Sequence, residues 1–304
     1  MIFDITILGS SSAFPTKKRF PSAQLLHMHG RLFLIDCGEG AQIQLIKAGV
    51  GLPKIDKIFI SHLHGDHFYG LPGLISSMHL SGREKPLLIY SDPALKEILS
   101  PMVDIHHKDL RFEIVFKPLL PGENQVIYEE DSFTVQSFPL DHGLNSWGFM
   151  FSEKERPRNI RKDFVEKYNP DIPAIKSIKR GHNYIDAEGN EIKNSAITKD
   201  PVPARAYSYC SDTRYFEKLP DYIAGTTTLY HEASYLETDR DLADSRSHST
   251  AYDAAKVAKT AQCKKLILGH FSARYRKMEA FLEEAQMLFP NTYLAEDLMS
   301  LEVE

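Results

Sequence analysis

The stretch SHLHGDHFYG, residues 61–70, places three histidines and one aspartate within six positions of the chain, namely His62, His64, Asp66 and His67. A hydrophobic core does not favour these side chains, because a buried imidazole or carboxylate needs a partner. A solvated surface would more usually carry lysine and glutamate. Imidazole and carboxylate groups together are zinc ligands, and manganese, iron and cobalt accept the same donors. We therefore interpret this stretch as part of a metal site.

Four side chains cannot complete two coordination shells, so further ligands are expected elsewhere in the chain. The first two histidines stand two positions apart and can reach toward one point, whereas the aspartate and the third histidine would aim at a second point nearby. Three later metal-binding residue types each follow an apolar run: His142, Asp212 and His270. Because strand ends at one edge of a sheet converge, we expect these residues to complete the site.

Other histidines in the chain lack this pattern. His27 and His29 also stand two positions apart, but no Asp-His pair follows them, and Gly30 indicates a turn there. We interpret them as strand residues beside a hairpin turn rather than as metal ligands. His106 and His107 are predicted to be exposed.

Apolar runs alternate with turn signals along residues 1–145 and again along residues 205–304. The predicted strands are ITILGS, RLFLIDCG, KIFISH, LLIYSD, FTVQSFPL, ARAYSYCSD and KKLILGHF. The predicted helices include DPALKEILSPM, TAYDAAKVAKTA and RKMEAFLEEAQMLF. This pattern favours two similar α/β halves, packed sheet against sheet with helices outside.

A segment of different character, residues 153–203, separates the two halves. It contains five prolines, and its first part, residues 153–181, carries nine basic and five acidic side chains, a net charge of +4. NIRKDFVEKY predicts a short helix with Ile160, Phe164, Val165 and Tyr168 on one face, and YIDAEGNEI predicts a hairpin. About fifty residues is long for a structureless loop, so we predict an inserted, flexible, projecting arm.

Composition limits the classes of protein that the chain can belong to. It has 304 residues with a net charge of −5, and no apolar stretch reaches the ~18 residues that a membrane span needs. The beginning, MIFDITILGS, reads as a strand rather than a signal peptide. The three cysteines Cys37, Cys210 and Cys263 have no CxxC spacing, which predicts reduced thiols in a cytoplasmic protein. No membrane or DNA partner is expected.

The motifs resemble a known family over nearly the whole chain. HLHGDH matches the HxHxDH signature of the metallo-β-lactamase fold superfamily, which implies an α/β fold of the αββα sandwich type. The opening LGSSSAFPTKKRFPSAQLL and the later motifs DCGEGAQ, YGLPGL, DHG, SDT, HEAS, HST and GHFSARY are similar to those of ribonuclease Z, the tRNA 3′-processing endonuclease, in its short bacterial-type form. The resemblance is looser in the arm, where NPDIPAIKSIKRG lacks the usual Gly-Pro dipeptide.

The resemblance implies two zinc ions per subunit. One would take His62, His64 and His142, the other would take Asp66, His67 and His270, and Asp212 would bridge the two. Asp66 would also act as proton acceptor. Asp36 in LIDCGEG would hold a ligand imidazole, as such carboxylates commonly do.

The resemblance also implies a proton relay and substrate contacts. His248, polarised by Glu232, would donate a proton to the leaving 3′-oxygen, since histidine titrates near neutrality. Lys17, Arg19 and Arg274 would contact the substrate. The basic arm would bind precursor tRNA, and a homodimer would form.

Three functions remain under consideration. The first is a zinc-dependent endoribonuclease that removes the 3′ trailer from precursor tRNA and leaves a 3′-hydroxyl. The second is a hydrolase of the same fold acting on a small cyclic phosphodiester or a thioester, for which a basic arm would have no use. The third is an RNA-binding protein that has lost catalysis, against which the complete ligand set argues.

Overall fold

The computed structural model describes residues 1–106 and 110–304, so His107 lies outside the described residues, as does the side chain of His106. The strands are β1 Phe3–Gly9, β2 Ala23–Met28, β3 Arg31–Cys37, β4 Ile55–Phe59, β5 Leu87–Ser91, β6 Ile114–Pro118, β7 Gln125–Glu129, β8 Phe133–Pro139, β9 Trp147–Glu153, β10 Asn159–Ile160, β11 Tyr184–Ile185, β12 Glu191–Ile192, β13 Thr198–Lys199, β14 Ala206–Cys210, β15 Thr228–Glu232, β16 Lys265–Gly269, β17 Thr292–Leu294 and β18 Ser300–Glu302. The α-helices are α1 Ala41–Lys47, α2 Gly65–Phe68, α3 Leu71–Leu80, α4 Ala94–His106, α5 Lys162–Tyr168, α6 Ile172–Lys179, α7 Asn194–Ile197, α8 Leu219–Tyr222, α9 Arg240–Ser245, α10 Ala251–Thr260 and α11 Glu279–Gln286. Two short 3₁₀ turns span Leu52–Lys54 and Glu237–Asp239.

Two seven-stranded sheets form the main body. The first has the order β18-β1-β2-β3-β4-β5-β6 and the second has the order β17-β16-β15-β14-β9-β8-β7. Strands β3 to β6 are parallel in the first sheet, and β14 to β17 are parallel in the second. Parallel strands place their carboxyl ends at one edge, where ligands commonly bind.

Alternate residues of the central strands face opposite sides of each sheet, as the two-residue period of a strand requires. In the first sheet, Leu34 and Ile58 pack in a cluster with apolar residues of α1, α3 and α4. Their neighbours Phe33 and Phe59 instead contact Phe151 of the second sheet, with ring centroids 5.8 and 5.4 Å apart. The second sheet is covered on its far side by α10, which packs on β15 and β16. The layers are therefore helix, sheet, sheet, helix, as predicted.

A second unit comprises residues 131–133 and 153–204. Its small core joins Phe164, Ile178 and Ile197, and Tyr168 and Tyr184 pack against them. The two-stranded pairings β10–β13 and β11–β12 complete it.

Two local predictions in this second unit have different outcomes. The hairpin predicted for YIDAEGNEI is confirmed, with Tyr184 opposite Ile192 and Gly189 at φ +87°. Helix α5 also forms, but Val165 is 37% exposed and does not belong to its buried face. Helix α6 occupies the stretch without Gly-Pro, and its first turn is capped by Asp171, which accepts a 2.8 Å hydrogen bond from the Ala174 amide.

All seven predicted strands are present, and the structure adds β9 and β15 at the centre of the second sheet. Residues of both strands are buried on both faces, so their sequences show no clean alternation. His27 lies in β2 and His29 at the following turn, as predicted. Within the described ranges, no helix is long and apolar enough to span a membrane.

Candidate metal centre

The predicted ligands come from loops that follow strands of both sheets. His62, His64, Asp66 and His67 follow β4 of the first sheet, and the last two of these lie in α2. In the second sheet, His142 follows β8, Asp212 follows β14 and His270 follows β16 directly. The Trp147 amide donates to the Ser61 carbonyl at 2.9 Å, which ties the two sheets together beside these loops. The structure therefore brings all seven predicted ligands into one place.

Four ligand atoms form the first cluster. The Nδ1 atom of His64 lies 3.2 Å from Nε2 of His62 and 3.2 Å from Nε2 of His142. The Oδ2 atom of Asp212 lies 3.7 Å from Nε2 of His62 and 3.5 Å from Nε2 of His142. Three imidazole nitrogens and one carboxylate oxygen thus converge.

The second cluster uses the other oxygen of the same aspartate. Oδ1 of Asp212 lies 3.4 Å from Nε2 of His67 and 3.2 Å from Nε2 of His270. Oδ2 of Asp66 lies 3.5 and 3.4 Å from the same two nitrogens. Asp212 therefore presents one oxygen to each cluster, which is the arrangement that a bridging carboxylate needs.

The spacing of these atoms suits coordination of a metal better than direct hydrogen bonds between the side chains. Neighbouring ligand atoms of a tetrahedral zinc lie about 3.4 Å apart, since each metal–ligand bond is about 2.1 Å, and the spacings above agree. Nε2 of His67 and Oδ1 of Asp212 are buried, and among the described residues neither has a hydrogen-bond partner. Buried polar atoms are normally paired, so a cation accounts for both. We conclude that these residues fit a bound metal.

The charge around His67 also favours a cation. Burial opposes a charged imidazole, but the carboxylates of Asp212, Asp66 and Asp36 raise the pKa of His67 well above its ordinary value. Burial likewise opposes the charged form of Asp66, yet His67 and His270 hold the pKa of that carboxyl well below its usual range. The pocket is thus built to stabilise positive charge at the place where the ligand atoms meet.

Asp36 fixes the orientation of His67. It is completely buried and adopts φ +56°, a strained value for a residue with a side chain. Its Oδ2 atom accepts hydrogen bonds from Nδ1 of His67 at 2.8 Å, from the Tyr209 hydroxyl at 2.7 Å and from the Ser61 hydroxyl at 2.9 Å, while its Oδ1 atom accepts from the Ser61 amide at 2.7 Å. Because Nδ1 of His67 carries the proton, Nε2 keeps its lone pair for a metal.

His142 and His270 are oriented in the same way. Nδ1 of His142 donates to the Ser247 carbonyl at 2.8 Å. The Ser234 hydroxyl donates its single proton to the His270 carbonyl at 3.0 Å, so its oxygen is left to accept from Nδ1 of His270, also at 3.0 Å. Both histidines therefore direct Nε2 toward the clusters.

His248, whose side chain is 13% exposed, pairs with the buried Glu232 beside the ligands. Nδ1 of His248 lies 2.8 Å from Oε1 of Glu232, whose carboxylate also accepts from the amides of Thr213, Ser234 and Ser249. Burial disfavours the charged imidazole, but Glu232 outweighs it and raises the pKa of His248 to about 9. The His248 ring lies 4.8 Å from the ring of His142, so it can act at the same substrate.

The predicted substrate contacts have three different environments. Lys17 is exposed. Nη1 of Arg19 donates to the Ser10 hydroxyl and the Ala295 carbonyl, both at 2.6 Å, so this guanidinium ties its loop to the body. Arg274 lies 3.4 Å from Asp239 in a partly exposed ion pair.

Several residues that position the ligands were not predicted. Ser61 and Ser234 lie inside the motifs SHLHGDH and HEAS, where only the histidines, aspartate and glutamate drew attention. Tyr209 reaches Asp36 from a strand 173 residues away. The two serines could have been suspected from their place in the motifs, whereas the tyrosine has no comparable signal.

Comparison with solved structures defines the class of protein. The short form of human tRNase Z superposes with a TM-score of 0.73 at 26% sequence identity, covering 99% of both chains. The metallo-β-lactamase fold protein YhfI from Bacillus subtilis superposes with a TM-score of 0.70 at 16% identity, covering 99% of this chain and 100% of that one. The protein therefore has the metallo-β-lactamase fold, as its motifs predict.

Comparison of sequences defines the family. The chain is 39% identical to ribonuclease Z from Phocaeicola vulgatus over 302 residues, which cover 99% of this chain and 98% of that protein. The family model described as anti-Pycsar protein Apyc1 matches residues 3–159, about half of the chain. The chain therefore belongs to the ribonuclease Z family, and its residues 3–159 also belong to the family that the Apyc1 model describes.

Proposed function

We propose that the protein is a zinc-dependent endoribonuclease that removes the 3′ trailer from precursor tRNA and leaves a 3′-hydroxyl on the tRNA. The observation that carries this proposal is the pair of clusters sharing Asp212, set beside the His248–Glu232 pair. The human structural neighbour is named a tRNase Z and the bacterial relative a ribonuclease Z. Both names agree with a phosphodiester substrate in RNA.

The seven ligands would hold two zinc ions, one in each cluster. When bound, the ions would supply hydroxide at neutral pH and would stabilise negative charge on the phosphate. Asp66 lies at the second cluster with its side chain 10% exposed, and the Ala13 amide donates to its Oδ2 atom at 2.8 Å. This hydrogen bond fixes the carboxylate, which we propose orients the attacking water and accepts its proton.

The leaving 3′-oxygen needs a proton, and His248 is placed to give it. Because Nδ1 of His248 is paired with Glu232, Nε2 is the nitrogen left to face the substrate. Glu232 stabilises the protonated imidazole and sets its orientation, as carboxylates paired with catalytic histidines do. The four donors around the Glu232 carboxylate hold it in place.

The second unit is proposed to bind the tRNA body. Residues 153–181 carry a net charge of +4 on a chain whose total is −5. Structured RNA is recognised largely through its shape and backbone, so a basic surface outside the active site suits it. A homodimer in the cytoplasm, with the arm of one subunit serving the other, is part of the same proposal and rests on the family resemblance.

A phosphodiesterase acting on a small substrate is the second candidate. The match of residues 3–159 to the Apyc1 model supports this candidate. These residues contain five of the seven proposed ligands but not the later elements of the second unit. The metal centre by itself would serve either substrate.

The test is to map the products made from a 5′-labelled precursor tRNA at single-nucleotide resolution. We expect one cut directly after the discriminator nucleotide, and a product whose 3′-hydroxyl can be extended or ligated. Hydrolysis of a cyclic mononucleotide without any cut in the precursor would overturn the proposal and favour the second candidate.

A further inference from the structure

A basic cleft of about 760 Å³ lies next to the second cluster of ligands. Five cationic residues line it, namely Lys17, Lys18, Arg19, Arg276 and Lys277. Lys17, Lys18, Arg276 and Lys277 are exposed. Within the described parts of the chain, none of these four side chains forms an ion pair. Unpaired cations in a concave surface favour an anionic ligand.

The walls of the cleft are continuous with the metal centre. Phe271 lines the cleft and directly follows the ligand His270. Ser11, which also lines the cleft, pairs with Phe271, and two residues further on the Ala13 amide donates to Oδ2 of Asp66 at 2.8 Å. The cleft therefore begins one residue from the ligand His270, and the segment that carries Ser11 also holds the ligand Asp66.

The loop that carries the two lysines is anchored to the body. Arg19 donates to Ser10 and to the Ala295 carbonyl, and Asp297 accepts from the Phe20 amide at 2.7 Å and from the Ser10 hydroxyl at 2.8 Å. The cleft is lined by five cationic and three acidic residues, and one of those acids, Asp297, is committed to these hydrogen bonds. Its positive character stands out on a chain of net charge −5.

The position of the cleft indicates which part of a substrate it would meet. The described residues that line it belong to 11–19, 271–279 and 294–297, and none belongs to the segments that carry His142 and His248. His248 marks the side of the leaving 3′-oxygen, which stays with the tRNA. The phosphate stays with the trailer, so the trailer would leave from the other side of the site.

We propose that this cleft binds the backbone phosphates of the single-stranded 3′ trailer, next to the scissile phosphate. This inference rests on the proposed function and extends it to a second RNA-binding surface, separate in sequence from the arm. Single-stranded RNA is commonly held in basic grooves of this kind, with sites of about 4–16 nucleotides.

The test compares two precursors with the same tRNA body, one with a single-nucleotide trailer and one with a trailer of about ten nucleotides. In the double variant Arg276→Ala/Lys277→Ala, we expect KM to rise about tenfold for the long trailer and to change little for the short one. The slope of log(kcat/KM) against log salt for the long trailer should fall by about 0.7 per lost phosphate contact. The matched control is Lys259→Ala/Lys264→Ala, which removes the same charge from exposed positions outside the cleft.

The outcomes separate this inference from the proposed function. If the wild type cuts both precursors but the double variant raises KM equally for both, the cleft does not bind the trailer and the inference is overturned. An unchanged KM for the long trailer overturns it as well. If the wild type cuts neither precursor, the proposed function fails and this inference fails with it. The variant Arg276→Lys/Lys277→Arg, which keeps both charges, should restore the long-trailer KM.

Discussion

The carboxylate of Asp212 is the single group on which both halves of the metal centre depend. Its Oδ2 atom faces His62 and His142, and its Oδ1 atom faces His67 and His270. The side chain is only 3% exposed, so solvent does not compete for either oxygen. Loss of this carboxylate should weaken the binding of both proposed metal ions, whereas loss of a histidine of one cluster should weaken mainly the binding of one.

We therefore predict that Asp212→Ala loses both metal ions, while His142→Ala loses one. The measurement is the metal content of purified protein by inductively coupled plasma mass spectrometry, after dialysis against a limiting zinc buffer. Asp221→Ala, at an exposed position in α8, is the control and should keep two ions. Two tightly bound ions in Asp212→Ala would show that the carboxylate does not bridge.

Ser234 has a narrower role, because it positions one ligand. Its hydroxyl holds both the ring and the carbonyl of His270, which itself adopts φ +58°. We predict that Ser234→Ala lowers zinc affinity by about 10- to 100-fold, the usual effect of removing a group that orients a metal ligand. Ser234→Thr, which keeps the hydroxyl, should restore most of that affinity.

The measurement for Ser234 is competition for zinc against a chromogenic chelator, together with the visible spectrum of cobalt-substituted protein. The cobalt spectrum reports ligand geometry directly and does not depend on activity. An Ser234→Ala protein with wild-type zinc affinity and an unchanged cobalt spectrum would contradict the role assigned to this hydroxyl.

At the scale of elements, the sequence predicts the positions of the ligands better than it predicts the hydrogen bonds that orient them. Each predicted ligand follows an apolar run, and the loops after β4, β8, β14 and β16 converge as strand ends at one edge should. The hydrogen bonds that orient the ligands are harder to predict, since they join residues far apart in the chain, such as Tyr209 and Asp36. Likewise, Arg19 stands in a basic run that indicates a substrate loop, yet part of its guanidinium bonds inward.

The inserted elements also show where local pattern fails. The apolar face predicted for NIRKDFVEKY includes both Phe164 and Val165, but the helix begins only at Lys162, buries Phe164 and leaves Val165 37% exposed. A helix of seven residues has little room for a full apolar face, so tertiary packing decides which side chain is buried.

The small core of the second unit leads to a prediction at this scale. Phe164 is 5% exposed and packs with Ile178 and Ile197. Phe164→Ala should cost about 3–5 kcal/mol of local stability. Because only three buried residues form this core, we expect the second unit to unfold locally. We expect faster proteolysis within residues 153–204 and a higher KM for precursor tRNA.

Val165→Ala is the matched control on the same helix, because Val165 is 37% exposed. It should leave the proteolysis pattern and KM unchanged. A Phe164→Ala protein that resists protease but still loses precursor binding would mean that the ring contacts RNA rather than the core.

At the scale of the whole molecule, the metal centre joins the two sheets of the main body. Its ligands follow strands of both sheets, and Asp36 of the first sheet bonds to Tyr209 of the second. Removing the proposed metal ions would leave several buried charged and polar groups without their main partner. Stability of the main body should therefore depend on metal.

We predict that chelation lowers Tm by about 8–16 °C, because a ligand at 1,000 times its Kd adds about 4 kcal/mol and each kcal/mol is worth roughly 2–4 °C in a domain of this size class. Differential scanning calorimetry with and without EDTA measures this, and added zinc should reverse the change. Asp212→Ala protein, already lacking metal, should show no response to EDTA. A wild-type Tm that is insensitive to chelation would indicate that metal does not join the sheets.

The central proposal is that the metal centre performs the chemistry and the second unit selects tRNA. The most direct measurement is cleavage of a labelled precursor tRNA by the wild type, by Asp66→Ala and by a deletion of residues 158–198, with hydrolysis of bis-p-nitrophenyl phosphate followed in parallel. We predict that the wild type makes one cut after the discriminator nucleotide, that Asp66→Ala abolishes both activities, and that the deletion loses precursor cleavage while keeping ester hydrolysis. A wild type that hydrolyses the ester but leaves the precursor intact would contradict the account.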